Sequence, residues 1–107
     1  MSSLIFAIAQ LNPVMGDIAG NMKKLIDARA KANSQGADVI VAPETYLTGY
    51  QTDDLVQVEG FLEACDEAIN RLAALTDDGG AAIIVGCPRR DGALVRNAVF
   101  VLDEGKV

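Results

Sequence analysis

Residues 36–50 read GADVIVAPETYLTGY, and the stretch Asp38 to Ala42 within them sets the fold. It is an apolar run too short for a buried helix, and Pro43 closes it, so it reads as a strand. Upstream, Met22, Leu25, Ile26 and Ala30 recur at helical spacing. They predict a helix with Asn21 as its N-cap, running to about Ser34 and stopped by Gly36. Further back, Leu4 to Ala9 (LIFAIA) is a second apolar run, suited to a strand covered on both faces. Asn12-Pro13 and Gly16-Asp17 mark the loop between that strand and the helix. A strand–helix–strand order implies a crossover and a parallel pair, which makes this an α/β chain.

The pattern continues downstream. Gln51 to Asp54 is polar loop, and Glu59 to Leu75 carries a second helical period through Phe61, Leu62, Cys65, Ala68, Ile69, Leu72 and Leu75. Asp78-Gly79-Gly80 breaks it. Ala82 to Cys87 is a third apolar strand, ended by Pro88; Asp91-Gly92 is a hairpin signal, and Val95 to Leu102 is a fourth strand. Asp103 to Lys106 is a further turn, and the sequence stops one residue after it, where a partner strand is expected. The segment therefore reads as the N-terminal part of a longer polypeptide rather than a small domain with a frayed tail.

Composition removes several classes of function. Nine Lys and Arg stand against fifteen Asp and Glu with no basic patch, which argues against a nucleic-acid partner. The mean hydropathy of +0.24 and the half-apolar composition fit a core-forming protein. No apolar run approaches the roughly 20 residues that span a bilayer. The N-terminus lacks the features of a signal peptide, so the expected compartment is the cytoplasm, with no membrane partner. The 107 residues contain no histidine. Acid–base chemistry here falls to carboxylate, lysine, tyrosine or cysteine.

Glu44 is the first candidate for that chemistry. In parallel α/β sheets ligands bind beyond the carboxyl ends of the strands, and VIVA-Pro-Glu delivers an acid there. Partial burial would raise its pKa and make it a usable general base. The plainer reading is a helix opening with Pro at N1 and Glu at N2. Tyr46 and Tyr50 can each bond a polar substrate or simply pack. Cys87 at a strand end, with Arg89 and Arg90 following, can be read as an activated thiol, but more readily as a small buried hydrophobe. Cys65 lies on the apolar face of the second helix and reads as core. No GxGxxG or P-loop occurs, and Lys106 reads as a surface turn residue.

Taken together, FAIAQLNPVMGD, GADVIVAPE, IIVGCPRRDG and VRNAVFVLDEGKV resemble the nitrilase, or carbon–nitrogen hydrolase, superfamily along the whole chain. QLNPVMGDIAGN and PETYLTGYQTDDL are most similar to the amidase domain of glutamine-dependent NAD synthetases. The resemblance implies a four-layer α-β-β-α nitrilase-like sandwich, of which this chain is the N-terminal portion. It also implies a Glu-Lys-Cys triad with Glu44 as general base, and Tyr50 as a substrate-binding residue for glutamine. The lysine and nucleophile of the family lie past the turn at Asp103 to Lys106, so Lys106, Cys65 and Cys87 do not fill those roles, and the segment alone is expected to be inactive. This chemistry needs no metal or cofactor within the segment. In the complete polypeptide the resemblance implies a downstream domain that uses ATP and Mg to amidate deamido-NAD, and a homo-oligomer. The rival readings are a stand-alone amidase or nitrilase of the same superfamily and a non-catalytic α/β interaction module.

Overall fold

A computed structural model describes residues 3–43, 46–49, 59–92 and 94–107. Its elements, in chain order, are β1 (Phe6–Ile8), α1 (Ile18–Ser34), β2 (Val39–Val41), a 3-10 turn (Tyr46–Thr48), α2 (Glu59–Leu75), β3 (Ala82–Asp91) and β4 (Leu94–Leu102). The strands form one sheet in the order β1-β2-β3-β4. The first two pairings are parallel and the last antiparallel, as the crossovers and the Asp91-Gly92 hairpin require. Gly92 takes φ 62°, a turn conformation that glycine adopts without strain.

Register sorts the side chains into rows. Ala7, Ile40, Ile83 and Leu102 stand side by side across the four strands, and Ile40, Ile83 and Leu102 are fully or almost fully buried. Val85, Cys87 and Phe100 extend this inward face, against which Leu25 of α1 and Cys65, Ile69 and Leu72 of α2 pack. Burying a side chain such as Leu25 or Leu72 is worth about 1.5–3 kcal/mol. The alternate row, Ile8, Val41, Ile84 and Val101, points to the opposite face. There Phe6, Ile8, Val99 and Val101 are all more than half exposed. Among the described residues LIFAIA is therefore not covered on both faces: β1 is an edge strand of the sheet, and its outward side chains Phe6 and Ile8 are exposed.

The start of α1 and the end of β3 differ from those read in the sequence. Helix α1 begins at Ile18, and its N-cap is Asp17, whose carboxylate accepts the Gly20 N–H at 3.0 Å. A Cβ on residue 20 would collide with that carboxylate, so the glycine is what lets the cap fold over. Asn21 is thus inside the first turn. At the other end Gln35 is the C-cap and Gly36, at φ 81°, is the left-handed residue that follows, as expected. The buried stripe of α1 runs through Asn21, Met22, Leu25, Arg29 and Ala32, leaving Ala30 exposed. On α2, Leu75 ends the helix partly exposed.

Strand β3 passes through Pro88 to Asp91 instead of stopping at Cys87. Its partner β2 ends opposite Ile84, so among the described residues β3 has a strand partner beyond that point only on the β4 side. A strand with one free edge tolerates a residue that lacks an N–H. Arg29 ties this region to α1: its guanidinium donates in parallel to the two carboxylate oxygens of Asp78 (2.9 and 2.8 Å), and its Nε donates to Ala81 O at 2.8 Å. The bidentate geometry is the strong form of this pair.

Candidate functional site

Strand β2 leads directly to the candidate acid. Ala9 N–H donates to Val41 O and Ala42 N–H to Ile84 O, so the three parallel strands remain joined up to the point where β2 gives way to Pro43. Glu44 is the next residue in the sequence; it and Tyr50 lie outside the described residues. Between them, Tyr46 to Gly49 are described. Tyr46 N–H donates to Pro43 O and Gly49 N–H to Tyr46 O, closing the 3-10 turn, and Tyr46, Leu47 and Thr48 are all fully buried. A single turn of this kind replaces the long helix that the Pro-Glu opening could have started. Gly49, at φ 75°, and the poor helix formers around it account for the stop.

The turn is laced to the loop that follows β1. Gly16 N–H donates to Thr48 O at 2.8 Å. A Cβ on Gly49 would lie 2.7 Å from Met15 Cα, so the two backbones touch. Asn21 completes the joint. Its Oδ1 accepts from Val14 N–H (2.7 Å), while its Nδ2 donates to Val14 O (2.8 Å) and to Leu47 O (3.0 Å). The carboxamide pairs with Val14 as a peptide group pairs across a ladder, and both of its N–H bonds are used. Tyr46 reaches the other way: its hydroxyl donates to Asn21 O at 2.9 Å. Burial pushes the Tyr46 phenol above its ordinary pKa, which keeps it a donor. Tyr46 is therefore a packing and fastening residue, and the substrate-facing alternative does not apply to it.

The two cysteines are core. Cys65 on α2 and Cys87 on β3 are buried against one another on the helix side of the sheet. Hydrogen bonding to Cys65, reinforced by burial, pushes the Cys87 thiol far above the ordinary range, the reverse of what a nucleophile needs. Arg89 gives Cys87 no activating cation: its guanidinium stands over the Phe100 ring, 5.6 Å from the centroid. Lys106 is exposed and pairs through its backbone with Asp103, as a turn residue. Among the described residues no group of three or more His, Cys, Asp or Glu side chains is placed to hold a metal ion. No helix among them is long and apolar enough to cross a membrane.

Sequence reading missed Asn21 by assigning it to the helix cap. The available signal was Asp17, an equally good cap four residues earlier, which leaves a polar residue facing the core.

Comparison with known proteins gives a consistent result. A family profile described as carbon-nitrogen hydrolase matches residues 6–107. A glutamine-dependent NAD(+) synthetase of Rhodobacter capsulatus is 42% identical over 100 residues, covering 94% of this chain and 18% of that protein. The glutamine-dependent NAD(+) synthetase of Cytophaga hutchinsonii superposes with a TM-score of 0.89 at 26% identity, over 98% of this chain and 18% of its own. An amidase from Nesterenkonia sp. AN1, solved with butyramide, gives a TM-score of 0.84 at 26% identity, over 97% of this chain and 40% of its own. In another variant of that amidase the acetamide moiety of fluoroacetamide is attached covalently at the active-site cysteine. The chain thus spans less than a fifth of the length of these synthetases.

Proposed function

This chain belongs to the carbon–nitrogen hydrolase family, and from that premise we propose that it is the first part of a glutaminase domain whose general base is Glu44. The observation that carries the reading is the position of Pro43: it leaves the carboxyl end of β2, between two other parallel strands, and hands the chain on to Glu44. In the proposed reaction Glu44 takes the proton of a cysteine thiol supplied by another segment, and the thiolate attacks the carbonyl carbon of the glutamine side-chain amide. A lysine, also from outside these residues, stabilises the oxyanion. The proton passes to the leaving ammonia, and Glu44 then activates the water that hydrolyses the thioester. Tyr50 holds the glutamine.

Ammonia formed in this way is used, in the same proposal, to amidate deamido-NAD to NAD at the expense of ATP with Mg. That step belongs to a different segment, and no residue of this chain is assigned to it. The likeness of sequence to the synthetases favours this fate for the ammonia. The good superposition on a much shorter amidase supports the second reading, a stand-alone amidase on another amide. A cytoplasmic location and a homo-oligomer of the complete polypeptide are further parts of the proposal.

One assay separates the two. The complete polypeptide is supplied with glutamine, deamido-NAD and ATP with Mg, and glutamate and NAD are both measured. The synthetase reading predicts NAD formation matched to glutamate release and dependent on ATP. Hydrolysis of simple aliphatic amides without NAD formation would decide for the stand-alone amidase.

A further inference from the structure

Segment Tyr46–Gly49 is bounded in the sequence by Glu44 two residues before it and by Tyr50 one residue after it. Its attachments converge on one residue. Asn21, 0% exposed, donates to Leu47 O, pairs both ways with Val14, and offers its own carbonyl to the Tyr46 hydroxyl. Asparagine is a poor residue for a helix interior, and a buried apolar side chain would pack α1 at least as well. Its presence in the first turn is explained by the bonds it makes to two loops, one from the end of β1 and one from the end of β2. Among the described residues no buried side-chain polar atom lacks a partner, so the joint is fully satisfied and stiff.

We propose that Asn21 is a positioning residue for Glu44, acting through the 3-10 turn that its carboxamide fastens to the β1 loop. The inference rests on the reading of Glu44 as general base. A base must stand within hydrogen-bond reach of the proton it takes, and a misplacement of about 1 Å can cost on the order of a hundredfold in rate. Tyr46 is the second strut of the same joint, tying the turn to the α1 backbone.

The test is a double-mutant cycle in the complete polypeptide. Asn21→Ala is expected to lower glutamine-driven kcat/KM by about 10–100-fold while ammonia-driven synthesis is unchanged. In a Glu44→Gln background it is expected to add little, because the residue acts through that carboxylate. Equal loss of both activities, or a full additional loss on top of Glu44→Gln, would overturn the proposal while leaving the glutaminase reading intact. A harmless Glu44→Gln would overturn both. Should Asn21→Ala not fold, Tyr46→Phe cuts one bond and keeps the ring. It is expected to show a smaller loss with the same non-additivity, and no loss of glutamine-driven activity would count against the proposal.

Discussion

Gly49 shows how a single residue decides the loop. Its φ of 75° lies in the left-handed region, and its Cα sits against the Met15 backbone with no room for a Cβ. Conformation alone sets a penalty of roughly 1–2 kcal/mol on any side chain there, and contact with backbone adds to it. Gly49→Ala is expected to lower the thermal midpoint of the complete polypeptide and its glutamine-driven rate together; a melt and rate equal to the parent's would show that the loop adapts. In the sequence a glycine here is a poor helix former, but nothing marks it as a contact point. Its partner, Met15, is 34 residues away, and nothing local announces the approach. Asn21 was misread for a similar reason. A cap and a buried hydrogen-bonding hub use the same residue type, and only tertiary placement distinguishes them.

At the scale of elements, the α1–β3 connection depends on Arg29 and Asp78. Arg29 is 3% exposed, while the Asp78 carboxylate is partly open to solvent. The Arg29 hydrogen bonds, with help from the Gly80 N–H, hold the Asp78 carboxyl well below the usual carboxylate range. A depressed folded-state pKa contributes stability that is complete above the unfolded value, near about 4, and is lost as pH falls toward the folded one. Asp78→Asn is therefore expected to melt several degrees lower than the parent at neutral pH, with the gap narrowing as pH drops below about 4. Melts across that range check it, and a gap independent of pH would deny the carboxylate its role. Helix and strand order was readable from apolar periods because each element follows its own spacing. The ion pair was not, since Asp78 reads locally as a helix breaker and the position of Arg29 invites an apolar residue. Pro88 misled in the same manner: it stops a central strand but not one with a free edge.

For the molecule as a whole, strand register explains why the apolar runs looked doubly covered. Both faces of the sheet are apolar, yet α1 and α2 occupy only one. The other face carries exposed apolar side chains, Phe6 and Ile8 on β1 and Val99 and Val101 on β4. A second sheet packed about 10 Å away would cover it, which agrees with the nitrilase-type sandwich whose N-terminal portion this chain matches. That layered context was legible only through family motifs, since no periodicity within 107 residues specifies what packs on the outer face.

The central claim, that Glu44 is the base of a glutaminase, is tested most directly by Glu44→Gln in the complete polypeptide, with glutamine-driven and ammonia-driven NAD synthesis measured on the same preparation. With Glu44 as the base, the rate falls about 100-fold or more with glutamine and is undiminished with ammonia. Equal rates with both nitrogen sources, before and after the substitution, would contradict it.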